Sequence, residues 1–159
     1  MERFTNNKDE FFNQIKTELS TVKSPKGISP RFTYLEIPHF MTYGLSVSSF
    51  EKNATELFVK IWDADYDWNR FKTGVFNLDR LAIREHTIVL SQTESNQLNV
   101  LLAKKLDLVE FKGIMLDGFY CQFATKEKKI NWNSDFEINN NLIKLVNFLK
   151  NKIDDFMKY

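Results

Sequence analysis

Apolar residues first recur at helical spacing. Phe11, Phe12, Ile15, Leu19 and Val22 share one face of a helix predicted from residue 7 to about residue 22, with Asn7 placed to cap it and Glu10 at its third position. The run Ser24-Pro25-Lys26-Gly27-Ile28-Ser29-Pro30 then breaks the pattern and reads as the clearest loop in the chain. Shorter apolar runs follow. Phe32 to Ile37, stopped by Pro38, Met41 to Ser49 and Glu56 to Trp62 are strand candidates. In the last of these, Leu57, Val59 and Ile61 have opposite parity to Trp62, Tyr66 and Trp68. Either both faces of that strand are covered, or the chain bends or bulges near residue 62.

Residues 84–91 are β-rich at their centre and end at a helix start. Ser91 and Glu94 hold the S-x-x-E spacing of a capping box, and Leu98, Leu101, Leu102 and Leu106 continue as a helical stripe. Asp117-Gly118 stands between apolar runs at 114–116 and 119–123 and predicts a hairpin, because both positions tolerate positive φ. A strand at 128–133 alternates Ile130 and Trp132 with polar neighbours. The chain closes on a long helix with Leu142, Ile143, Val146, Leu149, Ile153, Phe156 and Met157 on one face. Strands come in runs rather than alternating with helices. The expectation is a single α+β domain over residues 1–159, its antiparallel sheet packed against N-terminal, central and C-terminal helices. The helix at 7–22, set off by the loop, is a candidate docking element.

Composition narrows the function classes. With 22 Lys+Arg against 21 Asp+Glu the formal charge is +1, where a dedicated nucleic-acid binder usually carries a marked basic excess. One cysteine excludes an internal disulfide framework and a multi-cysteine zinc site. Five scattered glycines offer no phosphate-cradling loop, and the common nucleophile-elbow and dinucleotide motifs are absent. Without a secretory h-region or a run of spanning length, the expected protein is soluble and cytoplasmic, has no membrane segment and needs no cofactor.

The segment from Ile61 to Trp68 holds the densest candidate chemistry. If extended, it places Asp63, Asp65 and Asp67 on one face and Trp62, Tyr66 and Trp68 on the other. Three spaced carboxylates suit a hard cation, but Trp68 and Gly74 stand where a calcium loop needs Gly and Glu. A solvated acidic face backed by core aromatics, or a surface for a basic partner, remains. A Cys121, His86 and Asp117 triad is the alternative for catalysis, although Cys121 shares its period-two face with Phe119 and Phe123 and so points inward. His39 has no histidine partner at helical spacing. The basic clusters Lys104-Lys105 and Lys126 to Lys129 are short and balanced by nearby acids.

Leu90-Ser91-Gln92-Thr93-Glu94 opening a helix, Leu116-Asp117-Gly118 starting a hairpin, Trp132 in a strand and a last helix with spaced leucines form a recognisable order over residues 88–150. This order resembles a set of small uncharacterised bacterial α+β proteins, some of which are immunity-like and neutralise a cognate toxin. The resemblance implies a fold and no catalytic residue. The expected function is a non-enzymatic interaction domain, immunity-like in type. Asp63, Asp65, Asp67, Tyr66 and Trp68, with Glu56 beside them, would face a basic toxin-like protein. The alternative is a small-molecule-binding or hydrolytic domain with a pocket near Cys121 and His86. A third possibility is self-docking through Phe4, Phe11 and Phe12.

Overall fold

The computed structural model describes residues 2–22, 28–38, 43–113 and 119–158. In chain order these contain β1 (Phe4–Thr5), α1 (Lys8–Ser20), β2 (Phe32–Ile37), β3 (Gly44–Ser49), β4 (Glu56–Trp62) and α2 (Ala64–Lys72). There follow β5 (Phe76–Asn77), β6 (Ile83–Val89), α3 (Gln92–Ala103), β7 (Tyr120–Ala124), β8 (Lys129–Trp132) and α4 (Asn140–Met157). Six strands form one sheet in the order β6-β4-β3-β2-β7-β8, antiparallel at every step, and β1 pairs with β5 in a separate small ribbon. The α+β expectation therefore holds, and helices cover both faces of the sheet.

Alternation along each strand sorts the side chains into two cores. On the first face Tyr34, Val47, Val59, Cys121, Phe123 and Trp132 pack against Leu98 of α3 and Leu142, Leu145, Leu149 and Ile153 of α4. On the second, Leu35, Ile37 and Trp62 pack against Phe11, Ile15 and Leu19 of α1 and Ala64 of α2. Each such aliphatic or aromatic burial stabilises by roughly 1.5–3 kcal/mol, so either helical layer is a substantial part of the fold. The parity conflict at residue 62 resolves here. Val59 and Ile61 enter the first core and Trp62 the second.

Local signals set the helix starts. Asn7 accepts from the N–H groups of Asp9 and Glu10. Ser91 and Glu94 form both bonds of the predicted capping box. The apolar face of α1 packs on the sheet of its own chain. Phe11, Ile15 and Leu19 are wholly buried against the sheet, and of the three phenylalanines considered for self-docking only Phe4 is largely exposed. The Asp117-Gly118 hairpin, His39 and the apolar run at 114–116 lie outside the described residues.

Candidate functional site

The expected acidic stripe does not form. Residues after Asp63 turn into α2 instead of extending the strand, and on a helix Asp63, Asp65 and Asp67 are about 200° apart at each step of two residues. Asp63 is the N-cap, accepting from the Tyr66 N–H at 3.0 Å. Carboxylates in a first turn also suit the helix dipole, which explains why this acid-rich segment is helical. Asp63 and Asp65 are exposed, and Tyr66 is 55% exposed with the Arg70 guanidinium 4.8 Å from its ring centre. Glu56 lies at the opposite end of β4, roughly 20 Å away at ~3.3 Å per residue.

Asp67 is 0% exposed and takes no part in any surface. It accepts from Trp62 Nε1 at 2.8 Å, from the Ala82 N–H at 2.8 Å and from Arg70 Nη2 at 2.5 Å. Arg70 also donates to Arg80 O at 2.6 Å and lies 4.6 Å from the Phe76 ring centre. These groups tie α2 to the sheet. Trp68 is half-buried and stacks on Phe71 at 5.5 Å, inside an aromatic group with Phe11 and Phe12. Of the five expected binding residues, then, Asp63, Asp65 and Tyr66 are exposed, Trp68 is half-buried and Asp67 is buried.

The triad does not assemble. Cys121 on β7 and His86 on β6 are separated by β2, β3 and β4, which at ~4.8 Å per strand step is roughly 19 Å. Asp117 lies outside the described residues. Cys121 is 1% exposed, and burial followed by the Glu36 charge pushes its thiol well above the ordinary range. It touches Tyr34 Oη at 3.6 Å, and Tyr34 in turn donates to Glu36 at 3.2 Å. Burial raises the Tyr34 phenol as well. Lys150 pairs with Glu36 at 3.2 Å. This is a neutral thiol in a satisfied polar cluster, unsuited to nucleophilic attack. His86 meets the Phe156 ring at 4.9 Å and lines a surface cavity that Cys121 does not reach.

Tertiary structure assembles three surface features that spacing alone conceals. A cavity of about 330 Å³ opens on the second face of the sheet beside α1, lined among others by Ser46, Ser48, Phe58, Lys60, Glu85 and Thr87. The two lysine clusters converge, with Arg31, Lys104, Lys105, Lys126 and Lys128 around a groove of about 400 Å³. Two of those cations are already engaged: Lys128 donates to Leu106 O, and Arg31 to Ser49, Asn99 and Ala54. Phe136 is 72% exposed and stacks on Phe111 at 5.6 Å, beside exposed Leu108 and Val109. A β-bridge between Leu108 and Ile138 and the bond from Val109 N to Glu137 O at 2.7 Å hold this pair in place. No group of three metal-ligating side chains occurs among the described residues. No described helix is long and apolar enough to cross a membrane.

Fold and surfaces together define an α+β protein built on a six-stranded antiparallel sheet and a small two-stranded one. The chain matches no protein-family model, no curated protein and no solved structure.

Proposed function

We propose that this protein is a non-enzymatic interaction domain of the cytoplasm, immunity-like in type, that binds a basic toxin-like protein. The supporting observation is the exposed Phe111–Phe136 stack on its braced segment. Large apolar side chains held in a fixed geometry in water are what a protein interface buries, and aromatic anchors supply much of the binding energy there. Asp63 and Asp65, exposed at the start of α2, add the charge that steers a cationic partner. The separation of Cys121 from His86 by three strands favours the interaction reading over a hydrolytic one built on those two residues.

The test is quantitative binding of the purified chain to a partner captured from its source cells. Phe136→Ala and Phe111→Ala are expected to weaken binding at least tenfold while leaving the melting temperature within a few degrees. Asp63→Asn with Asp65→Asn should slow association and flatten its salt dependence. Unchanged affinity in both phenylalanine variants sinks this reading. Hydrolytic or transferase activity in the purified chain would do the same.

A further inference from the structure

The free edge of β6 carries an inference about the partner's chemistry. β6 is the outermost strand of the sheet, and among the described residues it pairs with β4 alone. Two bonds establish which of its backbone groups remain free. Asp63 N donates to Ala82 O at 2.9 Å, and Leu90 N donates to Thr55 O at 2.7 Å. Both belong to the hydrogen-bonded pairs of this antiparallel ladder, and such pairs recur at every second residue. Arg84, His86 and Ile88 therefore bond to β4. The N–H and C=O groups of Glu85, Thr87 and Val89 point away from the sheet, and all three residues are exposed.

From this edge, and resting on the reading as an interaction domain, we infer that β6 accepts an extended segment of another protein by strand addition. That segment carries a basic residue on one face and an apolar residue on the other. The cavity-side face of the edge presents Ile83, Glu85, Thr87 and Val89, the last 70% exposed. Glu85 is 57% exposed, and among the described residues it pairs with Lys60 at 3.8 Å. The Lys60 ammonium is already bound to Glu18 O at 2.8 Å and Thr21 O at 2.5 Å, closing the end of α1. A basic side chain on the added strand, beside Glu85 and over the cavity mouth, gives this exposed carboxylate a closer partner than Lys60 at 3.8 Å. On the opposite face His86 packs against Phe156, and Phe156 and Met157 at the end of α4 are exposed apolar side chains. An apolar residue of the added strand lies against them.

A second copy of this chain does not meet these demands through its own β6. Residues directly opposite each other in a ladder share a face. Ile83, Glu85, Thr87 and Val89 would face their own kind, with no cation among them. Main-chain bonds with specificity from alternate side chains are the established logic of strand addition.

The experiment selects a phage-displayed random nonapeptide library against the folded full-length chain. Enriched peptides are expected to alternate, with Lys or Arg on one face and apolar residues on the other. Their binding should slow amide exchange at Glu85, Thr87 and Val89. Glu85→Lys should weaken them at least tenfold. Thr87→Pro should abolish binding while the fold survives, because proline is tolerated where an edge N–H faces water. Should Thr87→Pro fail to fold, Glu85→Lys and Glu85→Gln, both at an exposed position, decide the matter. No alternating basic consensus, or equal binding by all variants, overturns the inference. A concentration-dependent dimer lost in Thr87→Pro also overturns it, in favour of a second copy. Failure here with partner capture still dependent on Phe136 leaves the interaction reading standing, whereas loss of the Phe136 dependence removes that reading itself.

Discussion

The indole N–H of Trp62, at the last position of β4, donates to Oδ2 of Asp67 in α2 at 2.8 Å, with both residues shut away from water. Strand and helix are thereby joined by a carboxylate that also holds Arg70 and the Ala82 N–H. Removing it strands the buried Trp62 indole N–H and two partly buried donors at once. Asp67→Ala is expected to destabilise the protein by about 3–5 kcal/mol, the range seen when one partner of a buried pair is deleted. Asp65→Asn, at an exposed position two residues away, should stay within ~0.5 kcal/mol of the parent. Urea unfolding of the two variants makes the comparison. An unchanged midpoint for Asp67→Ala would show that the network contributes nothing.

Gly44 lies under the same indole. A Cβ there would stand 2.9 Å from Trp62 Cε3, 3.1 Å from Glu36 O and 3.2 Å from Pro38 Cδ. Because Asp67 pins the ring, the ring cannot swing clear. Gly44→Ala should cost about 1–3 kcal/mol, as overpacking does. The double variant with Asp67→Ala should lose less than the sum of the two single losses, since the freed indole can yield. Strict additivity in a double-mutant cycle would mean the clash is relieved elsewhere.

Cys121 should be silent in the native protein. Burial and the Glu36 charge raise its thiol, so the reactive thiolate is scarce at pH 8 and the sulfur is sealed beneath α4. Reaction with a disulfide reagent should proceed no faster than unfolding and accelerate steeply with urea. Immediate labelling in native buffer would mean the first core is open at that point.

Glu94 couples stability to acid. The Lys152 ammonium and the Ser91 N–H hold its carboxyl below the ordinary value of 4.5. A carboxylate lowered in the folded state stabilises fully above its unfolded value and loses that contribution as pH falls through the folded one. The melting-temperature gap between the parent and Glu94→Gln should therefore be constant near neutrality and close below pH 4.5. A gap that persists to lower pH would assign the effect to shape rather than charge.

The elements legible in the chain were those whose signals are local. Asn7, Ser91 and Glu94 cap their helices within three residues, and the period-two runs around Val59, Cys121 and Ile130 face the core as the alternation requires. What misled was the segment after Trp62. Its acids and aromatics alternate as a strand would, yet Asp63 caps a helix, and the 3.6-residue period sends Asp67 inward while Asp65 stays in water. Capping and the dipole outweighed the alternation there.

By itself the sequence determined the N-terminal, central and C-terminal helices, most strands of the large sheet, the α+β class and the inward facing of Cys121, because hydrophobic period and capping act over a few residues. Only the tertiary structure decided that Cys121 and His86 lie strands apart, that Lys104 and Lys126 share a groove, and that β6 is left with a free edge. Strand order and side-chain convergence depend on contacts between residues distant in the chain, and no local spacing encodes them.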